Sequence, residues 1–306
     1  MKKITVSAPG KLILFGEHAV VYGAPCIVTA VNKRIHVQIE YAEGNEDILE
    51  TPKVNNLNFV HHTIEKFKRS YNIKNWLKIT TSSDFNDRIG LGSSSAVTAA
   101  LAKGLSEFFS VPLTDKELFN FCYEIILDIQ KRGSGADLAA SIFGGTQYFV
   151  SGGKVIEHTS VEDIPLVVGY SGHKADTASL LKIVADKYIL NKDTIDKIFH
   201  EIQLITDKAK IELEKEELNN VGTLMTENHL LLKRLGVSTQ MLDAMVESAI
   251  GAGAYGAKLS GAGGGDCIIA LIDEKHRSTV EKAIKKVGGE PFLLETQAEG
   301  VRLELS

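Results

Sequence analysis

The sequence has little of what marks several functional classes. Only three cysteines occur, Cys26, Cys122 and Cys267, in apolar surroundings and without C-x-x-C spacing. That excludes a disulfide framework and a cysteine-based zinc site, and fits a reducing, cytoplasmic setting. No uncharged stretch reaches the ~18 apolar residues of a membrane span, since the longest, such as residues 138–153, are short and studded with glycine. Lys11, Glu17 and His18 interrupt the apolar stretch that a signal peptide would need, so export is not expected. The formal net charge of -5 supplies no overall basic field for nucleic acid. There is no H-E-x-x-H spacing for a metal-dependent hydrolase, and the adjacent His61 and His62 point apart on a helix and are expected at the surface. No internal repeat or low-complexity segment is present.

What remains is an ordinary globular composition of 306 residues, 44 % hydrophobic and 24 % charged, long enough for two domains. Period-two alternation predicts strands at 4–6, 35–41, 77–79 and 146–150, with further strands at 166–169, 258–260, 267–271 and near 301–303. Helical spacing of Val97, Leu101, Leu105 and Phe108 predicts a helix after a glycine-serine cluster. A Thr114–Glu117 capping box predicts another, carrying Leu118, Phe121, Ile125 and Ile129 and ending near 132–133. Beyond the glycine-rich 150–154 the chain becomes mostly helical, so the boundary is placed between domains 1–158 and 159–306. Strands and helices mix without strict alternation, which points to α+β layers.

Four segments carry candidate chemistry. Gly90-Leu91-Gly92-Ser93-Ser94-Ser95 precedes a helix, where glycines admit an anion to the backbone and the helix N-terminus adds its positive end. It reads as a phosphate cradle or, more simply, as a turn with serine caps. It is neither a Walker loop nor a dinucleotide fingerprint. Pro9-Gly10-Lys11 and Gly16-Glu17-His18 place ionisable side chains in an apolar segment, as a polar-ligand site or as a surface loop. Gly133-Ser134-Gly135-Ala136-Asp137 sets an acid at the start of an apolar run, as a functional group or as an N-cap. Residues 258–266 run a strand into a loop that is almost all backbone, built for close approach.

In this order the four segments resemble the GHMP kinases, and the resemblance covers nearly the whole chain. The run 9–23 is similar to the mevalonate kinase branch almost residue for residue, as are 224–232 with Asn228-His229 and Leu235-Gly236-Val237-Ser238. The resemblance implies a two-domain GHMP kinase fold, with an N-terminal domain like the second domain of ribosomal protein S5 and a ferredoxin-like C-terminal domain. It implies ATP and Mg2+ as cofactors and a small-molecule acceptor, mevalonate or phosphomevalonate, with no nucleic acid and no membrane; a homodimer is left open. Gly90, Leu91, Gly92, Ser93, Ser94 and Ser95 would hold the ATP phosphates, and Ser94 would approach magnesium. Asp137 would accept or orient the proton of the attacking hydroxyl with Lys11 beside it. Glu17 and His18 would contact the acceptor, and the loop containing Gly263 and Gly264 would close around it.

The sequence also departs from that branch. Ile126 stands where a glutamate magnesium ligand is usual, and Glu124 and Asp128, about 200° around the helix, do not reach the same face. Asn86-Asp87-Arg88-Ile89 replaces the usual proline and glycine, with Arg88 a candidate phosphate contact. Residues 133–140 and Gly264-Gly265-Asp266-Cys267 look more like phosphomevalonate kinases, because Asp266 replaces a glycine. A module of this fold without catalysis would be expected to lose Lys11 or Asp137, and both are present. A decarboxylase of the same superfamily is matched less well at Gly10-Lys11 and at the last glycine loop.

Overall fold

The alternating segments near the start belong to two long antiparallel strands, β1 (Lys3–Phe15) and β2 (Pro25–Tyr41), joined through a short 3-10 turn at Ala19–Tyr22. The structure, a computed structural model, describes residues 2–51, 57–85, 89–161 and 163–304. β1 runs straight through Pro9-Gly10-Lys11, so this stretch is buried strand and not surface loop. Proline has no amide to donate to a ladder, and here the pairing jumps from Pro9↔Arg34 to Gly10↔Val31.

β3 (Ile48–Glu50), α1 (Leu57–Tyr71), β4 (Leu77–Ser83), α2 (Ser93–Phe108), α3 (Asp115–Gln130), α4 (Ala136–Phe143), β5 (Thr146–Val150) and β6 (Val155–His158) follow. β2 is long enough to pair with β1 along one edge and with β5 and then β4 along the other. α2 and α4 lie on β1 and β2, and α1 and α3 pack on α2. The Thr114–Glu117 capping box forms as expected and satisfies both exposed ends of the first turn of α3. α3 stops at Gln130, with Lys131 left-handed at its C-cap. Its buried face is Leu118, Phe119, Cys122, Ile125 and Ile126, with Phe121 and Ile129 only partly covered.

A second, four-stranded antiparallel sheet has the order β10-β7-β9-β8, made of β7 (Leu166–Tyr170), β8 (Gly256–Ser260), β9 (Cys267–Leu271) and β10 (Glu290–Phe292). It is accompanied by α5 (Thr177–Leu190), α6 (Lys192–Glu214), α7 (Leu218–Leu235), α8 (Gln240–Gly251) and α9 (Arg277–Lys286). α7 and α8 pack on β8, and α9 packs on α8 and β7. β8 and β9 are buried along their whole length; β9 is a continuous apolar run in place of alternation, whereas β8 carries the polar Lys258 and Ser260 into the interior.

The chain then returns to the first sheet, where β11 (Arg302–Leu303) pairs with β1 through Val6↔Leu303. Arg34 fastens this return by donating to the carbonyls of Glu299 and Gly300, both at 2.7 Å, and to Ser7 Oγ at 2.6 Å. Ser260 Oγ, at the end of β8, accepts from Ile13 N–H and donates to Ile13 O, each at 3.0 Å, linking the second sheet to β1. Among the described residues no helix is long and apolar enough to cross a membrane. The three cysteines are free and buried.

Candidate active site

A cleft of about 460 Å³ opens where β1, the N-termini of α2 and α4, the 174–178 segment and the last glycine loop converge. The serines of the glycine-serine cluster are not caps: Gly92 occupies the N-cap of α2 with no side-chain bond, and Ser93, Ser94 and Ser95 form its first turn. The three serines line the cleft together with the helix's positive end. Leu91 is 1 % exposed and belongs to the core; its contribution is a carbonyl that accepts from Lys11 N–H at 3.0 Å. Gly90 and Gly92 both have left-handed φ, 71° and 77°. A Cβ at Gly92 would meet the Lys11 side chain at 3.1 Å and Asp137 Oδ2 at 3.4 Å, and one at Gly90 would meet Asp266 Oδ2 at 2.7 Å. Both glycines give room to side chains of the site itself.

Lys11 is buried beneath this cradle. Its Nζ donates to Gly90 O at 3.2 Å and lies 3.6 Å from Asp137 Oδ1, and the Asp137 side chain keeps 36 % exposure. Asp137 is not the N-cap of α4: that position is Gly135, and Asp137 stands in the first turn with its carboxylate free for the cleft.

Glu17 and His18 are 1 % and 4 % exposed and line the same cleft. Glu17 Oε1 accepts from Nζ of Lys258, itself fully buried, and Lys258 also donates to Leu259 O at 2.6 Å. Burial pushes the Glu17 carboxyl up and the Lys258 ammonium down, while their mutual attraction opposes both shifts. His18 Nε2 donates to Ala262 O at 2.8 Å, which leaves Nδ1 as the acceptor of a neutral ring. Burial lowers its pKa and keeps it neutral. Glu17 Oε2 and His18 Nδ1 have no hydrogen-bond partner among the described residues.

In the last glycine loop, Gly261 and Ala262 face the cleft, whereas Gly263 and Gly264 turn away. Gly264 N–H donates to Val237 O at 2.8 Å, and a Cβ at Gly263 or Gly264 would strike Val237 O or the Leu180 side chain. Ile126 lines the cleft, while Glu124 and Asp128 point to α1, pairing with Lys66 at 3.0 and 3.3 Å. His62 is a surface partner of Asp128 at 3.1 Å. Arg88, with Asn86 and Asp87, lies outside the described residues. Among the described residues no group of three or more His, Cys, Asp or Glu forms a metal cluster.

Sequence reasoning missed several residues of this arrangement. Lys258 is a lysine in a wholly buried strand, and such a residue demands a carboxylate partner. Lys174, Ala175, Asp176 and Thr177 line the cleft where a loop enters α5, with Asp176 as the N-cap accepting from Ser179 N–H at 3.2 Å, a local signal that the sequence reading passed over. His229 supports β8, the strand that leads into the last glycine loop: its Nδ1 accepts from Leu259 N–H at 3.3 Å, so Nε2 carries the proton toward Asp243 Oδ1 at 3.2 Å. Asp243 is also held by Ser238 at 2.6 Å and Lys233 at 2.7 Å.

Known proteins share this architecture. The GHMP kinases N terminal domain matches residues 58–145 and the GHMP kinases C terminal domain matches residues 209–290. The mevalonate kinase of Pyrococcus abyssi is 34 % identical over 98 % of both chains, and that of Thermococcus sibiricus 34 % identical over 99 % of this chain and 98 % of its own. The crystal structure of Methanococcus jannaschii mevalonate kinase superposes with a TM-score of 0.84 at 27 % identity, covering 97 % of this chain and 99 % of that one. With both family models matched and nearly the full length aligned to these relatives, the chain belongs to the GHMP kinase family, whose reaction consumes ATP.

Proposed function

We propose that the chain transfers the γ-phosphoryl group of ATP to the 5-hydroxyl of mevalonate, giving 5-phosphomevalonate. The observation that carries this reading is the Lys11–Asp137 pair at the mouth of the glycine-serine cradle, facing the same cleft as Glu17 and His18. The full-length similarity to mevalonate kinases chooses the acceptor.

In this reading the backbone of Gly90 and Gly92 and the first turn of α2 hold the phosphates. Asp137 receives or orients the proton of the attacking hydroxyl, and Lys11 neutralises charge building on the transferred group. Catalysis is then in-line displacement driven by positioning and charge neutralisation, with no covalent enzyme intermediate. The unpartnered Glu17 Oε2 and His18 Nδ1 are acceptors suited to the hydroxyls of a small hydroxy acid. The hard oxygen donors of Ser94 and Asp137 suit magnesium, which binds through one or two protein oxygens plus phosphate and water. Bound with the nucleotide, magnesium would neutralise phosphate charge; with Ile126 on the wall, Ser94 is the residue assigned to it. We divide the chain into an ATP-binding unit, 1–158, and a second unit, 159–306, whose last strand, β11, returns to the first sheet.

A second reading, phosphomevalonate as acceptor, draws on Arg132 and Lys174 in the cleft wall, two cations suited to a phosphorylated substrate. Purified protein with ATP and magnesium, offered mevalonate and 5-phosphomevalonate separately, separates the two by phosphorus NMR of the product. A monophosphate ester from mevalonate is expected. A diphosphate formed only from phosphomevalonate would overturn the first reading, and turnover of neither would overturn both.

A further inference from the structure

Three segments of the cleft meet at Asp266. This residue holds φ at 54°, in the left-handed region that disfavours side chains, and is 7 % exposed. Its N–H donates to His173 O at 2.8 Å, and its carbonyl accepts from Ser171 N–H at 2.9 Å. Its Oδ1 accepts from the buried Ala175 N–H at 2.9 Å. Its Oδ2 packs against Gly90 so closely that a methyl group there would sit at 2.7 Å. One residue therefore touches the glycine-serine loop, belongs to the last glycine loop, and holds the 171–175 segment whose continuation forms the cleft wall. Nothing in the backbone path requires a side chain at this position; glycine would adopt the same conformation with less strain. The carboxylate is there for what it holds, since without it the Ala175 amide would be buried and unsatisfied.

We propose that Asp266 is a positioning residue for phosphoryl transfer: its carboxylate latches the 171–178 segment to the glycine loops, so that the cleft wall is set before nucleotide and acceptor arrive. The latch needs an acceptor oxygen and a left-handed backbone, not a charge. Asparagine supplies both, whereas glycine keeps the backbone and removes the oxygen. The Asp266→Asn and Asp266→Gly variants thus separate latch from strain, and neither adds strain that would threaten folding.

The proposal rests on reading the cleft as the kinase site, so two readouts are paired. Hydrogen exchange at the Ala175 amide, measured on the unliganded chain, tests the latch whatever the acceptor proves to be. KM for ATP and for mevalonate, against kcat, tests its effect on the site. Asp266→Gly is expected to speed exchange at Ala175 on the order of tenfold and to raise KM for ATP on the order of tenfold, with kcat changing less. Asp266→Asn should stay within about twofold of the parent in every measure. Unchanged exchange in Asp266→Gly would overturn the latch, and faster exchange with unchanged KM would overturn its positioning role. An Asp266→Asn variant as impaired as Asp266→Gly with Ala175 still protected would show that the charge acts and overturn the proposal.

Discussion

Two lysine–carboxylate pairs stand at this cleft, one open to it and one set behind its wall, and they differ in almost everything except their chemistry. Lys11–Asp137 is loose, 3.6 Å apart, with the carboxylate open to the cleft. Glu17–Lys258 is sealed, its partners 1 % and 0 % exposed. A pair that must meet a substrate has to leave one lone pair accessible and accept weaker contact. A pair that shapes the site can be desolvated completely, at the cost that breaking it strands a charge. Under the proposed function the first pair governs turnover, and the second governs stability and the placement of Glu17.

Asp137→Asn tests the open side of that contrast and carries the largest expected effect. It should lower kcat on the order of a thousandfold with a modest change in KM, as for an interaction made mainly in the transition state, and leave the melting curve nearly unchanged. Near-normal turnover would remove Asp137 from the mechanism. Lys258→Met tests the sealed side: leaving Glu17 buried and alone should cost about 3–5 kcal/mol in denaturant unfolding. Adding Glu17→Gln should recover much of that stability without recovering activity. If Lys258→Met melts like the parent, the pair is not the structural element described here.

Gly92→Ala probes the open pair through the backbone. The new methyl meets Lys11 at 3.1 Å on a left-handed residue, so a stability loss of about 1–2 kcal/mol is expected. A drop in kcat should accompany it as Lys11 shifts from Asp137; a loss of stability with kcat intact would show that the spacing of that pair is not critical. The smallest effect concerns pH. Burial holds both His18 and His229 below their ordinary value of 6.5. As pH falls below 6.5 the unfolded chain takes up protons first, so stability declines until the folded-state values are passed. Asp243 and Lys233, with Lys258 from β8, are the charges around His229, and Asp243 opposes the shift. His229→Gln should flatten the decline by up to about 1 kcal/mol over the first pH unit, seen in unfolding curves at stepped pH.

The sequence made parts of this legible and not others, for identifiable reasons. The capping box of α3 and the alternation of 35–41 are local signals, and both held. The surface-loop reading of Lys11 and Glu17 failed because their burial depends on partners far along the chain, Asp137 and Lys258. The N-cap reading of Asp137 failed because a left-handed glycine already fills that position. The resemblance grouped Gly263 and Gly264 with the acceptor contacts, but their backbone approaches serve Val237 and Leu180, a distinction composition does not carry. Glu124 and Asp128 lie about 200° around α3 from Ile126, which one helix's geometry already places on another face, and both turn to α1.

The clasp of Arg34 on Glu299 and Gly300, with β11 beside β1, bears on how the molecule comes into being. Val6 and Leu303 are neighbours in one ladder although 297 positions separate Ser7 from its partner Glu304. The sheet that carries Lys11 therefore cannot complete its edge on the ribosome until residues near 300 have emerged. Contacts so distant in sequence make folding slow and leave the edge of β1 exposed while synthesis continues. The strand that holds Lys11 is thus among the last to be closed.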